Sequence, residues 1–168
     1  MNQSQAPLVI SRIFKAPRDL VFKAHTEVHH LEKWWMPTGF KSIYSSLDFK
    51  IGGCYHYANE SPDGMQIWGK QVFQDFVLNE RLTCVQFFSD KDGNVQRHPM
   101  SATWPLEMYA TTLFEEFGEH QTKLTLSWQP INSDDSGYAT FEAAKSGVEQ
   151  AIGATFDKLE NHLYSITN

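Results

Sequence analysis

Residues 138–164, YATFEAAKSGVEQAIGATFDKLENHLY, are the longest part of the chain with sustained helical periodicity. On a wheel of about 100° per residue, one broad face is apolar and the other carries acidic and amide groups. The apolar face comprises Phe141, Ala144, Val148, Ile152, Thr155, Phe156, Leu159 and Leu163. A helix of about 25 residues is nearly 40 Å long at roughly 1.5 Å per residue. The sequence therefore predicts a long helix whose apolar face is covered by a sheet.

Two glycines lie inside this predicted helix, at Gly147 and Gly153. Each costs about 1 kcal/mol of helix stability relative to alanine, and residues 146–149, SGVE, have the form of a capping box. The pattern predicts a bend or a restart near Gly147. The glycines are then either tolerated surface positions or small residues that open space between the helix and the sheet.

The chain before this helix has mostly the alternating pattern of strands. Residues 8–15 form the first predicted strand, and Pro17 ends it before one or two short helices over residues 20–30. Six further strands follow the aromatic turn of residues 31–40, at 40–49, 54–60, 65–77, 82–88, 107–117 and 122–130. This order predicts an α+β fold, with a curved antiparallel sheet of about seven strands around a long C-terminal helix.

Length and charge exclude several classes of protein. The 168 residues indicate one domain over residues 1–168, and the 14 scattered Lys and Arg in a chain of net charge −6 exclude a nucleic-acid partner. No apolar run reaches the roughly 20 residues of a membrane span. The opening MNQSQAPLV lacks signal-peptide features, so we expect a cytoplasmic protein. Two cysteines without CxxC spacing, Cys54 and Cys84, are expected to be reduced and structural.

Four short motifs occur in the same order as these elements. They are residues 33–40 (KWWMPTGF), residues 48–53 (DFKIGG), residues 114–116 (FEE) and the glycine-bearing last helix. Together with the element order, they resemble the Hsp90-ATPase-activator-homologue (AHSA1-like) branch of the START-like (SRPBCC, Bet v 1-like) superfamily, from about residue 8 to residue 164. The resemblance implies a helix-grip fold, with an elongated cavity between the sheet and the last helix.

The turn residues of these motifs are expected to be structural: Trp34, Trp35, Pro37, Gly52 and Gly53. Two positions depart from the family pattern, because Met36 stands where the family often has glycine and Lys50 where it often has arginine. At least one indole of the Trp34 and Trp35 pair is predicted to pack between the short helices and the terminal helix.

The predicted cavity lining follows from alternation along the strands and from the apolar face of the helix. It comprises Tyr55, Tyr57, Trp68, Met108, Trp128, Phe141, Lys145, Val148, Ile152 and Phe156. Tyrosines combine an apolar ring with one polar group, which suits a site that orients a small molecule; the alternative is that they are ordinary core residues. Lys145 is either a surface lysine or a cation at the cavity mouth that pairs with an acidic ligand or with Glu142.

Signals for catalysis and metal binding are weak. His25, His29 and His30 lie close together, but the sequence shows no carboxylate or thiolate that convincingly completes a metal set, so no metal and no cofactor are predicted. Nucleophile, zincin, phosphate-loop and dinucleotide motifs are missing. Without an adjacent base, Cys54 is expected to be buried strand filler rather than a nucleophile.

Three functions remain open. We expect a soluble binding domain for a small hydrophobic or amphipathic ligand, because the 14% aromatic residues fall largely on predicted inward positions. One alternative is a cofactor-independent enzyme of the cyclase or hydrolase kind, which needs a titratable pair in the cavity. The other is a cochaperone-like domain, although the resemblance places most Hsp90-activating activity in a separate N-terminal domain. Exposed edge strands also allow a homodimer.

Overall fold

A computed structural model describes residues 6–168 as one seven-stranded antiparallel sheet with three helices. The strands are β1 (Leu8–Phe14), β2 (Lys41–Leu47), β3 (Cys54–Glu60), β4 (Gln66–Val77), β5 (Arg81–Phe88), β6 (Glu107–Glu116) and β7 (Thr122–Ile131). The helices are α1 (Arg18–Thr26), α2 (Val28–Trp34) and α3 (Asp135–Thr167). In the sheet the order is β1-β7-β6-β5-β4-β3-β2, so the first strand pairs with the last and β2 forms the other edge. The predicted fold class is confirmed, including the long terminal helix and the two short helices after β1.

Helix α3 is longer than predicted and is continuous. It spans 33 residues and begins after Asp134, which caps its N-terminus, with the carboxylate accepting from the Gly137 amide at 2.7 Å. The sequence around this cap, SDDSG, has the composition of a loop, so the apolar pattern does not predict the first turn of the helix. The predicted restart at Gly147 is wrong. Gly147 is exposed, and a Cβ added there would meet nothing within 4 Å, so this glycine opens no space between helix and sheet.

The core lies between the concave face of the sheet and α3. Phe14 and Phe156 meet edge to face with their ring centroids 5.8 Å apart. Alternate residues of β6 and β7, such as Phe114 and Leu124, point to the same side as these rings and are fully or almost fully buried. Further along α3, Leu159 and Leu163 belong to this same cluster. The apolar stripe of the helical wheel is therefore the face that the sheet covers.

Polar contacts hold α3 at two places, one on strand β1 and the other on the turn after α2. Arg12 of β1 donates to Asp157 at 2.6 Å and to the Gly153 carbonyl at 3.2 Å. Lys158 donates to the Pro37 carbonyl at 2.7 Å and to that of Met36 at 3.2 Å. The main packing partners of α3 are α2, β1, α1 and β7. The helix thus lies over the β1 and β7 side of the sheet.

Two glycines shape the turn between β2 and β3. Gly52 has φ +80°, a conformation that side chains with a Cβ rarely adopt, and its amide donates to the Phe73 carbonyl at 2.8 Å. A Cβ at Gly53 would clash with the Asp48 carbonyl oxygen. This close backbone packing brings the start of β3 against β4, next to the buried Tyr55.

Membrane insertion through a helix has no support in residues 6–168, since none of their helices is both long and apolar enough to cross a bilayer.

His25 of α1 lies in an apolar environment. Its ring meets those of Trp34 and Phe114 edge to face at 4.8 and 5.1 Å, and its Nδ1 lies 2.8 Å from the Val21 carbonyl oxygen. Burial lowers the pKa of His25 to about 4, against the hydrogen bond to Val21, which raises it. At neutral pH the imidazole is uncharged.

This pKa shift predicts a loss of stability in acid. The unfolded chain takes up a proton near the ordinary histidine pKa of about 6.5, whereas the folded protein takes it up only near 4. The stability that neutral His25 contributes to the folded state is therefore complete above pH 6.5 and is lost as the pH falls to 4. Between pH 7 and pH 5 the free energy of unfolding should fall by about 2 kcal/mol more in the wild type than in His25→Gln. Urea titrations at both pH values measure the difference, and equal losses in the two proteins would contradict it.

Candidate functional site

Five of the predicted lining residues meet between α3 and strands β6 and β7. Met108 and Phe141 are buried, and the half-buried Trp128, Val148 and Ile152 pack against them. The indole of Trp128 lies 5.9 Å from the ring of Phe141, nearly perpendicular to it. Strand register explains the arrangement, because Trp128 stands opposite the small Ala110, which leaves room above β6 for the indole. These side chains form one apolar surface shared by sheet and helix.

Tyr55 and Tyr57 extend this surface across β3. Their rings stack with centroids 4.9 Å apart, and they belong to the core cluster that also contains Phe156. Tyr57 pairs with Gly69 of β4, and a Cβ at Gly69 would clash with the Tyr57 hydroxyl. The missing side chain of Gly69 therefore lets the phenol lie flat across the sheet. Phe88, which pairs with Gly69 from β5, stands on the same face.

Trp68 does not belong to this surface, so its predicted place in the lining is wrong. In the sheet register Trp68 stands opposite Ala58, one position away from the Tyr57 and Gly69 pair. Its side chain therefore points to the convex side, where it lies 5.3 Å from the ring of Tyr44 and 5.4 Å from that of His56. Side chains alternate between faces along a strand, so an error of one residue moves the side chain across the sheet.

Uncharged polar groups cross the middle of the concave face. The Trp128 indole donates to Gln86 Oε1 at 2.9 Å, and Gln86 Nε2 lies 3.6 Å from Cys84 Sγ. The Cys84 thiol in turn points to Gln71 Oε1 at 3.5 Å. The two glutamines were missed because glutamine gives no functional signal in a sequence. Gln86 lies two residues after the buried Cys84 on β5, and Gln71 lies two residues before the buried Phe73 on β4. Side chains two residues apart on a strand share a face, which places both glutamines inward.

Burial keeps the ionisable groups of this face in their neutral forms. It raises the pKa of the Cys84 thiol to about 12 and moves that of Tyr55 above its ordinary value. The pKa of Tyr57 is also raised by burial, against a hydrogen bond with the Trp35 side chain, which lowers it. At neutral pH these groups therefore act as hydrogen-bonding groups without charge.

The loop between β5 and β6 adds an aromatic side chain that the sequence did not indicate. Trp104 lies 6.0 Å from the ring of Trp128 and 6.1 Å from that of Phe141. His98 of the same loop bridges Trp104 and Phe88, at 5.9 and 4.7 Å between ring centroids. The sequence signal that could have identified Trp104 is an isolated tryptophan in an otherwise polar loop.

Several apolar side chains between the sheet and α3 are only half-buried: Trp35, Tyr57, Phe88, Trp104, Leu126, Trp128, Val148 and Ile152.

Lys145 pairs within its own helix. Its ammonium lies 2.7 Å from Glu142 Oε2, donates to the Ala6 carbonyl at 2.7 Å and stands 5.5 Å above the Phe141 ring. Of the alternatives for this residue, the contact with Glu142 is the one present in the structure. The ion pair offsets the charge of Lys145 beside Phe141, and the hydrogen bond to Ala6 links α3 to the segment before β1.

Two open grooves lie elsewhere on the molecule. One, of about 510 Å³, is bounded by the end of α2, the following turn and the edge strand β2, and includes Glu32, Lys33, Met36 and Phe40. The other, of about 460 Å³, lies where Phe14 and Lys15 meet the end of α3. Both have charged and polar rims, in contrast with the uncharged side chains in the middle of the concave face, such as Tyr57, Gln71 and Gln86.

Known structures share this architecture. A protein from Arthrobacter aurescens superposes with a TM-score of 0.78 at 21% identity, covering 98% of this chain and 90% of the other. One from Staphylococcus epidermidis gives 0.76 at 21% identity, covering 98% and 93%. One from Nitrosomonas europaea gives 0.75 at 20% identity, covering 99% of both chains. At these identities the likeness shows the fold.

The family assignment comes from the sequence as a whole. No curated protein matches the chain. Residues 15–164 match the family model described as Activator of Hsp90 ATPase homolog 1-like protein, which includes α1, α2, strands β2 to β7 and most of α3. The match covers the turn after α2, the paired glycines before β3 and the concave face except for β1. This chain therefore belongs to the Activator of Hsp90 ATPase homolog 1-like family.

Proposed function

We propose that this protein binds a small hydrophobic or amphipathic molecule between α3 and the concave face of the sheet. The observation that carries the proposal is the set of half-buried inward side chains, which includes Tyr57, Trp128, Val148 and Ile152. Large apolar side chains that face the interior and still keep contact with solvent are typical of the walls of a ligand site. Helix α3 packs mainly on α2, β1, α1 and β7 rather than on β3 to β5.

Apolar burial would supply most of the affinity. At roughly 25 cal/mol per Å², a ligand that hides about 250 Å² of its surface gains about 6 kcal/mol before ordering costs. Micromolar affinity therefore needs one or two polar contacts in addition. Tyr57 and Gln86 are suited to this role because they are half-buried and uncharged. A phenolic or carbonyl head group matches them, since Lys145 is already engaged by Glu142.

The protonation states favour binding over the alternative of catalysis. A thiol with a pKa of about 12, as for Cys84, is not ionised at neutral pH and is a poor nucleophile. A tyrosine with a raised pKa, as for Tyr57, keeps its proton and serves as a donor. Groups of this kind orient a ligand, whereas general acid–base catalysis works best with a pKa close to the working pH.

Filling the proposed site should abolish binding without unfolding the protein. In Ile152→Trp the larger side chain occupies the space next to Trp128 and Met108, and we expect the affinity for the fluorescent probe N-phenyl-1-naphthylamine to fall at least about tenfold. Gln150→Trp, two residues away on the exposed side of α3, is the matched control and should bind as the wild type does. Equal binding by wild type and a folded Ile152→Trp would refute the proposal.

A pair of related ligands tests the polar contact. Removing the Tyr57 hydroxyl in Tyr57→Phe should weaken 2-naphthol by about fivefold, the equivalent of one hydrogen bond of about 1 kcal/mol. Naphthalene, which has no hydroxyl, should bind the variant and the wild type equally. Displacement of the fluorescent probe measures both. The same loss for the two ligands would show that Tyr57 contributes only shape.

A further inference from the structure

Glu27, His29 and His30 bring three metal-ligating groups together at the corner between α1 and α2. One ligating atom from each of these side chains lies within 4.8 Å of the other two. Glu27 Oε2 is 3.5 Å from His29 Nε2 and also 3.5 Å from His30 Nε2. The two imidazole rings are tilted by 38° to each other, with their centroids 4.1 Å apart. The corner forms this cluster because Glu27 is at once the C-cap of α1 and the N-cap of α2, which turns its side chain back over the first turn of α2.

The two separations at Glu27 Oε2 match the edge of a metal tetrahedron, and the ligating nitrogens of the two histidines lie within 4.8 Å of each other. Zinc binds imidazole nitrogen and carboxylate oxygen at about 2.0 to 2.1 Å, and two such ligands at a tetrahedral angle are roughly 3.3 to 3.4 Å apart. The measured separations of 3.5 Å on both sides of Glu27 Oε2 need only a small side-chain adjustment. His29 is exposed and Glu27 is partly exposed, so an ion can enter from solvent.

A fourth residue orients the cluster. His162 of α3 lies with its Nε2 2.8 Å from Nδ1 of His30, which is 8% exposed. When His30 donates its Nδ1 proton to His162, the lone pair on Nε2 is left facing Glu27, the tautomer that a metal requires. A ligating histidine usually donates the N–H of its other ring nitrogen to a neighbouring acceptor, which orients the ring. This contact is independent of the distances within the cluster and points to the same use.

We propose that Glu27, His29 and His30 bind a divalent transition-metal ion of the zinc type, with His162 as a positioning residue. The carboxylate that the sequence did not show for the histidine group is Glu27. Two imidazoles and one carboxylate suit Zn²⁺, Cu²⁺ or Ni²⁺ better than Ca²⁺ or Mg²⁺, which favour oxygen ligands. Three protein ligands leave one coordination position for water or for a small anion. Because His162 belongs to α3, the bound ion would also strengthen the link between the corner and α3.

Calorimetric titration of tag-free, chelator-treated protein with Zn²⁺ tests the proposal. We expect one ion per chain and a melting temperature that rises with Zn²⁺ concentration, as linkage requires. Co²⁺ should give the visible absorption of a low-symmetry four-coordinate site. His29→Ala and Glu27→Gln should abolish this site while melting like the wild type in chelator. His162→Gln should bind about tenfold to a hundredfold more weakly and alter the Co²⁺ spectrum, the effect expected of a positioning residue.

His120→Ala is the matched control. His120 Nε2 also lies 3.5 Å from a carboxylate oxygen, that of Glu119, but both side chains are at least 80% exposed. This variant should keep wild-type binding. The proposal fails if the wild type takes up no stoichiometric Zn²⁺, or if His29→Ala and Glu27→Gln bind Zn²⁺ as tightly as His120→Ala does.

Discussion

Leu159→Asp is expected to leave the chain unfolded at 25 °C. Leu159 is 0% exposed and packs in the main core cluster between α3 and the sheet. Removing a buried leucine costs about 2 to 5 kcal/mol, and a buried carboxylate without a partner adds several kcal/mol more. The total is comparable to the roughly 5 to 15 kcal/mol of a whole domain. Circular dichroism at 25 °C and during heating measures the outcome.

Ala151→Asp serves as the control for Leu159→Asp. It places the same carboxylate on the exposed side of the same helix, so it tests charge and helix propensity without burial. We expect this variant to melt within a few degrees of the wild type. A cooperative transition of Leu159→Asp near the wild-type melting temperature would show that α3 does not pack on the sheet through this residue.

Trp34→Ala is expected to lower the free energy of unfolding by about 3 to 5 kcal/mol. The Trp34 indole is 0% exposed and its Nε1 donates to the Ala24 carbonyl at 2.9 Å, so the change creates a cavity and removes a buried hydrogen bond. Trp34, the last residue of α2, is therefore a fully buried indole that is hydrogen-bonded to α1. Urea titration at neutral pH gives the difference from the wild type.

The neighbouring Trp35→Ala is the comparison for Trp34→Ala. Trp35 is half-buried, and its ring meets that of Tyr57 at 6.2 Å on the concave face. Its loss should cost less than half as much stability as the loss of Trp34, while weakening the proposed ligand site. If the two variants lose equal stability, the burial of Trp34 does not control the stability of the corner between α1 and α2.

Local pattern was enough to determine the elements and their order. Alternation predicted the strands, and the apolar stripe from Phe141 to Leu163 predicted both α3 and the face that it buries. Turn residues such as Gly52 and Gly53 were also readable, because left-handed or crowded backbone excludes other side chains. These properties depend on neighbours along the chain, which a sequence displays directly.

Alternation was less reliable on the long strand β4. Trp68 was placed on the wrong face because period-two patterning fixes which residues share a face, but not which face is inward. The register with β3, which sets Tyr57 opposite Gly69, decides this. Helix α3 likewise begins before the segment with apolar periodicity. The Asp134 side chain accepts a hydrogen bond from the first turn and stabilises it, although the residues there have the composition of a loop.

By itself, the sequence determined the α+β architecture, the long terminal helix and some of the aromatic side chains between the sheet and α3, such as Tyr55, Trp128 and Phe156. Only the tertiary structure decided which distant residues meet. Trp104 reaches Trp128 from a loop, Gln71 and Gln86 face each other across two strands, and His162 approaches His30 from the other end of the chain. The physical reason is that contacts between residues far apart in the chain depend on register and packing, which leave no periodic signal in either partner.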